Sequence, residues 1–510
     1  AADRAMSRDM IGLRGTLLRD KNGRVRTFLP DRTGQRTVIA AEAESSWLRD
    51  AEGARYTIDP NTTAYTATET APYGTAFINI APGTSVTLYF GRSGEVEALY
   101  ISTGATSDKA LVAGGSVSAA ALLDLTGGVT GYAIYKNGVR IELSDIAPYD
   151  VITYDAAGRV LRVSDFRLTG ALESCWPNLS SPTRVTVFGR EFQVLPSARS
   201  SFASRQLGQM VTLLLTGDFK VAGVVSSGTL ENTAVGIVTA ASGTSVTVRL
   251  LNGLEISGDT ERTASSMLGE FVSVSSYGAG KIAVSKISGG AGGRLDLNAK
   301  TLGSSPLSPA LRVFERAGKG PVKEIKLNDI TVSSVPASKV LFSAQDGKGR
   351  VTLLLLDDVT GDCYTYGILR RGSQEIPSMG GEAGGGTNPT VSVRNSKNPG
   401  GTAEVVTGAL FSTGDFGGVS APISPYDSAK VVLLKNVGAV KRTDFFTRDG
   451  KTYVRVNGEV YPVADAVECY NKSGNSWFKS LDDARSFSET LTLYADRTAS
   501  EGGKIRVVVA

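Results

Sequence analysis

Met210-Val-Thr-Leu-Leu-Leu-Thr-Gly-Asp-Phe-Lys-Val-Ala-Gly-Val-Val225 decides how the chain folds. Val211 to Leu215 is a run of β-branched and large apolar residues. Lys220 to Val225 is a second such run. Between them Thr216-Gly217-Asp218 supplies turn chemistry, because Gly tolerates φ > 0 and Asp bonds its own backbone. The stretch predicts one strand, a tight turn and a returning strand.

The same device recurs. Runs that begin at Val86, Val151, Val211, Val272, Val351, Val431 and Leu491 each meet a turn and then a second apolar run, 60 to 80 residues apart. The expected returning strands are Val96–Ile101, Val160–Val163, Lys220–Val225, Ile282–Ile287, Tyr364–Leu369, Ala439–Lys441 and Ile505–Val509. Ser424-Pro425-Tyr426-Asp427 before the sixth copy matches Ala147-Pro148-Tyr149-Asp150 before the second. A second hairpin precedes most copies, often with Asn-Gly at its turn, as at Asn22-Gly23, Asn137-Gly138, Asn252-Gly253 and Asn457-Gly458. Asn-Gly suits a type I′ turn, which needs φ > 0 at both positions.

One hairpin cannot stand alone, whereas four to six strands with a buried face can. The expectation is therefore an all-β protein, a tandem array of about seven small β-barrel or sandwich modules of roughly 60 to 80 residues. Their expected extents are 1–104, with a helix remnant at Ala1 to Met10, then 105–170, 171–228, 229–290, 291–375, 376–443 and 444–510. Ser288 to Arg294 reads as a joint, and Pro377 to Gly401 as a Gly-rich insertion. Short segments such as Ser197 to Gly208 and Asp259 to Gly269 read as plugs for barrel ends.

Composition agrees. Gly is 59 of 510 residues, well above the usual ~7%, as many turns require. A 41% hydrophobic and 20% charged chain is globular rather than disordered. The net charge is only +4 and the charges are interspersed, which points to no nucleic acid and no anionic lipid as partner. No stretch approaches the ~20 apolar residues of a membrane helix.

The chain has no His. Ser-His-Asp and Cys-His catalysis and His-based zinc sites are thereby excluded. Cys175, Cys363 and Cys469 are far apart and form no C-x-x-C, so they read as small buried hydrophobes. Asp482-Asp483 and Glu42/Glu44 are the kind of acid pair a glycosidase would use, but nothing singles them out among 50 acidic residues. Gly384-Gly385-Gly386 lacks the Lys and the strand-to-helix setting of a phosphate loop. Trp47, Trp176 and Trp477 fall in different modules, so packing is preferred to a shared sugar platform. No catalytic residue is nominated.

One turn, Asp357-Asp358-Val359-Thr360-Gly361-Asp362, gathers three carboxylates. Asp357, Asp358 and Asp362 are the candidate metal ligands, and Ca²⁺ is the cation that clustered oxygens would take. The turn lacks the alternating spacing and terminal Glu of an EF-hand loop, so an ordinary acidic turn is the preferred reading.

Tyr149-Asp-Val-Ile-Thr-Tyr-Asp-Ala-Ala-Gly-Arg-Val-Leu-Arg-Val163 and Gly208 to Leu215 with Lys220 to Val224 resemble the β-modules of surface proteins from clostridial and related Gram-positive bacteria, S-layer proteins and proteins with S-layer homology domains among them. The helical homology domain itself is not recognised in the chain. The resemblance implies a secreted structural protein at the bacterial cell surface, not an enzyme, whose copies assemble into a layer or filament and whose further partner is a cell-wall polymer. A start at Ala1-Ala2-Asp3 is compatible with cleavage after small residues. A surface adhesin or glycan-binding stalk is the alternative, and a carboxylate-based wall hydrolase the third reading. The C-terminal run Lys504 to Ala510 is expected to close its own module; donation to a neighbouring chain is the competing possibility.

Overall fold

The computed structural model describes residues 14–31, 34–66, 69–80, 83–102, 109–115, 117–156, 159–230, 234–287, 292–375, 387–448 and 450–510. The expected helix at Ala1 to Met10, most of the joint at Ser288 to Arg294 and the Gly-rich core of Pro377 to Gly401 lie outside the described residues. What is described is all-β, arranged as many small sheets. Helix is confined to short pieces such as Ala119–Thr126 and Leu481–Phe487. The chain divides into two compact units, one built from residues up to 234 with 275–282, the other from 235–274 and 283–510.

In the first unit, Met210–Leu215 pairs antiparallel with Val221–Ser226, Leu213 opposite Val224 and Leu214 opposite Gly223. Val211 to Leu215 are all buried, which is why the run is continuously apolar rather than alternating. The turn differs from expectation in one respect. Phe219, not Gly217, takes the left-handed conformation, at φ 63°. Its ring stacks on Phe166 at 5.5 Å, and the Thr216 hydroxyl accepts from the Lys220 N–H at 2.9 Å. Ring stacking and a satisfied turn offset the strain.

Around this hairpin a common arrangement recurs. A preceding strand pairs antiparallel with the first hairpin strand: Gln35–Glu44 with Ser85–Phe90, Ala110–Val112 with Val151–Asp155, and Phe166–Ala171 with Met210–Leu215. The second hairpin strand takes a parallel neighbour: Thr63–Tyr65 beside Val96–Ser102, and Ala133–Lys136 beside Val160–Ser164. In the third copy the parallel contact shrinks to a single bridge, Val194 to Val221. Parallel neighbours cannot be joined by a tight turn, and the segments between the hairpins supply the longer connection.

Val235–Ser242, Ser245–Leu250, Glu255–Asp259, Lys281–Lys286 and Phe271–Gly278 close into a five-stranded barrel. The second unit repeats the plan with variations. At the far end, Lys435–Lys441 pairs with Thr490–Ala495, which pairs with Ile505–Val509, which lies parallel to Glu459–Asn471. The final strand thus sits inside its own sheet, with all five residues buried.

Two expected hairpins do not form. Val351–Asp357 pairs antiparallel with Val340–Gln345 and parallel with Ser305–Arg316. Thr365–Glu375 leaves for another sheet, between Thr387–Arg394 and Phe416–Ser420. Lys430–Leu433 likewise stays with Phe416–Ser420, while Lys435–Lys441 crosses to the last sheet. The reasons are local. Asn436-Val437-Gly438 is a bulge inside a strand, not a turn. Asp357 to Asp362 is a crossover whose polar groups find partners elsewhere. Type I′ geometry is present at Asn137-Gly138 and Asn457-Gly458, where both residues have positive φ. At Asn22-Gly23 and Asn252-Gly253 only the Gly does.

Candidate functional site

The crossover after Val351–Asp357 carries the densest set of buried charges in the second unit. Asp358 adopts φ 50° and Gly361 φ 73°, so the chain coils on itself and turns its carboxylates inward. Asp358 Oδ2 accepts from Lys430 Nζ and from the Tyr364 hydroxyl, each at 2.9 Å. Its Oδ1 accepts from Arg497 Nη2 at 2.7 Å. Asp362 receives Lys504 Nζ at 2.8 Å on one oxygen and Arg506 Nη1 at 2.6 Å on the other. Asp357 pairs more loosely, with Lys339 Nζ at 3.4 Å.

Arg506 is the centre of the cluster. Its side chain is 3% exposed. Nε donates to Asp496 Oδ2 at 2.9 Å, and Nη2 donates to the Thr360 carbonyl. The guanidinium lies 4.8 Å from the Tyr366 ring centroid, and the Tyr366 hydroxyl donates to the Gly361 carbonyl at 2.8 Å. The planar fork thus serves two carboxylates and a carbonyl at once, which a Lys could not do. Beside it, Glu315 is fully buried and accepts from the backbone N–H of Val359 and Thr360 and from the Thr360 hydroxyl.

The electrostatics follow from these partners. Burial pushes the Asp362 carboxyl up, but Arg506 and Lys504 outweigh it and hold the group down at about 2. Asp358 is likewise held below its usual range, with Lys430 and Arg497 overcoming burial. Among the described residues no cation pairs with Glu315; burial raises it, opposed by the bonds from Thr360. Burial also pushes the Cys363 thiol well up, so that it stays a protonated, poor nucleophile.

The cluster therefore joins strands that come from different sheets: the crossover, the Lys430 strand and the hairpin around Asp496 and Arg506. Chemically it is closed, since the oxygens of Asp358 and Asp362 already face ammonium or guanidinium groups. Among the described residues no group of three or more Cys, Asp or Glu side chains is placed to hold a metal ion. Asp357, Asp358 and Asp362 each meet cations of the chain itself: Lys339 for the first, Lys430 and Arg497 for the second, Lys504 and Arg506 for the third. Arg506, Asp496, Lys504, Glu315 and Lys430 were missed. The available signal was Ile505-Arg-Val-Val-Val509, where a charge interrupts a strand that is otherwise wholly apolar.

The other nominated residues scatter. Asp482 and Asp483 open the helix Leu481–Phe487, and Asp482 pairs with Arg485 at 3.3 Å. Glu42 pairs with Arg49 at 3.6 Å. Trp47 lies under Arg55, at 4.4 Å, and Trp477 packs on Tyr470. Trp176 is 59% exposed, with Arg184 over its ring at 5.0 Å. All three cysteines are free thiols; Cys469 is buried, and Cys175 and Cys363 are partly exposed. Among the described residues no helix is long and apolar enough to cross a membrane. No protein-family model matches the chain, and no curated protein matches it.

Proposed function

We propose that this is an extracellular structural protein of the bacterial cell surface, without catalysis, whose copies assemble into an S-layer-like sheet or a filament. The observation that carries the reading is the repetition itself: many small β-modules in which the same hairpin arrangement recurs, with a buried polar network in the second unit that ties sheets together. The resemblance of Tyr149 to Val163 and of Gly208 to Val224 to Gram-positive surface modules supports it. Electron microscopy of the purified chain, with light scattering in calcium and in its absence, tests it. Two-dimensional or one-dimensional order is expected, and a monodisperse monomer under both conditions overturns it. Contacts between copies are expected to bury more than about 1,000 Å², the floor for a stable interface.

A second reading, a surface adhesin or glycan-binding stalk with a cell-wall polymer as partner, is favoured by one feature. The exposed indole of Trp176 beneath Arg184 presents an aromatic edge and a cation together. Glycan-array binding that is lost in Trp176→Ala supports that reading, and its absence removes it.

A further inference from the structure

The first unit holds a buried cluster of a different kind. Lys136 ends the strand Ala133–Lys136, and Asp150 immediately precedes Val151–Asp155. Their side chains are 3% and 1% exposed, and Lys136 Nζ lies 2.8 Å from Asp150 Oδ2. A second carboxylate, Asp165 Oδ2, stands 3.3 Å from the same nitrogen. Both backbones are fixed. Lys136 is in register with Val163 on one side and Val139 on the other. Asp150 donates its N–H to Ala147 O and its carbonyl accepts from Ala113 N, at 3.2 and 2.8 Å.

The two oxygens of Asp150 are not equivalent. Oδ2 accepts from Lys136 and from the Ala147 N–H at 2.9 Å. Oδ1 is buried and accepts nothing. An unsatisfied buried oxygen on a charged group is costly, and an amide at this position would not possess that oxygen. We propose that Lys136 and Asp150 condense to an intramolecular amide, with Asp165 as the proton-transferring group.

The step balances without any cofactor or oxidant. In a low-dielectric site the ammonium–carboxylate pair exchanges a proton to give neutral amine and acid. Burial acts in this sense on both groups and raises Asp150, although the two carboxylates keep Lys136 raised as well. Nζ attacks Asp150 Cγ, forming the C–N bond. The proton exchanged first and a second one, taken from the nitrogen after the attack, both reach Oδ1 through Asp165. The Cγ–Oδ1 bond breaks and Oδ1 departs as water with two protons from the nitrogen. Oδ2 remains as the amide oxygen, held by the Ala147 N–H. Ammonium and carboxylate become amide and water, with no net change in charge.

The chain carries its own control. Asp427, in the matching Ser-Pro-Tyr-Asp segment, lies 2.8 Å from Lys319 Nζ, but these side chains are 23% and 43% exposed. Water keeps that pair ionised, and Lys319 is shared with Glu270 at 3.0 Å. No condensation is expected there.

The test is denaturing intact-mass measurement of the full chain, followed by proteolysis and peptide sequencing. The expected result is a mass one water below that of the sequence and a branched peptide joining the Lys136 and Asp150 segments, with the Lys319 and Asp427 peptides linear. Asp165→Asn is expected to fold, by circular dichroism, yet to keep the full mass; Lys136→Met is expected to lose the branch. A full-mass wild type, a water loss found only in linear peptides, or an unchanged branch in Asp165→Asn overturns the proposal.

Discussion

Each unit buries a charge cluster, and the two are built on different cations. In the second unit Arg506 and Arg497, helped by Lys504 and Lys430, face Asp362, Asp496 and Asp358, and the carboxylate oxygens of Asp362 and Asp358 meet donors. In the first unit one Lys faces two carboxylates and an Asp150 oxygen is left without a donor. A guanidinium stays protonated in a protein and holds partners by geometry. A buried ammonium can give up its proton and become a nucleophile. The difference teaches that buried charge near a strand end can either clamp sheets non-covalently or set up a bond, and that the choice of Arg or Lys decides which.

The largest effect is expected at the clamp. Arg506→Met leaves Asp362 and Asp496 buried without their shared cation, and breaking such a pair costs about 3–5 kcal/mol. Urea unfolding of the second unit should register it, and a triple change that also replaces Asp362 and Asp496 by Leu should lose less. A loss under ~1 kcal/mol for the single change would show that the cluster tolerates water.

Lys136→Met is expected to cost about 3 kcal/mol in the first unit, since it strands Asp150. The same comparison can be sharpened by titration. If Asp150 is an amide it does not titrate at all, whereas a free carboxyl there, raised by burial, would show a pH-dependent signal by carbon-detected NMR.

Acid should act on the two clusters unequally. Asp362 is held at about 2 and Asp358 is lowered in the same direction, so the contribution of each is fully present above the ordinary 3.8 and is lost on acidification, for Asp362 as pH falls through about 2. Glu315 is raised, so its protonation on acidification works the other way and offsets part of the loss. The unfolding midpoint of the second unit should fall between about pH 4 and pH 2, and less steeply in Asp362→Asn. A midpoint that is flat across this interval would refute the assignment.

Smaller still is the expected effect of Lys319→Ala on the exposed pair with Asp427, within ~1 kcal/mol. Calcium comes last. For Ca²⁺ to reach Asp357, Asp358 and Asp362 it must displace Lys339, Lys430, Arg497, Lys504 and Arg506. No shift of the unfolding midpoint is expected; a gain near 2.7 kcal/mol, as a ligand at a hundredfold excess over its Kd would give, would restore those three as a cation site.

Much of the fold was legible because it is local. Val211 to Val225 contains its own turn, and five of the seven expected hairpins pair as read. The two that fail show where locality ends. Val351 and Tyr364 flank a segment with Gly and Asp in turn-like order, yet its carboxylates are claimed by Arg497 and Arg506, some 140 residues on. Nothing in the turn itself announces those partners. The match of Ser424–Asp427 to Ala147–Asp150 was also legible, and both Asp N–H groups do bond the residue three back at 3.2 Å. What could not be read was burial: Lys136 stands before an Asn-Gly turn, where a solvent-facing Lys is the ordinary expectation.

The position of Ile505–Val509 bears on the order in which the molecule can be made. The strand is laid between Thr490–Ala495 and Glu459–Asn471, so on the ribosome both neighbours wait with open edges until those residues emerge. During that wait the edges are available to other nascent chains. The Asp358 and Asp362 crossover waits too, its carboxylates without Arg497 and Arg506. The second unit therefore gains its clamp only when synthesis has passed residue 506, long after the first unit has all of Lys136, Asp150 and Asp165 in hand.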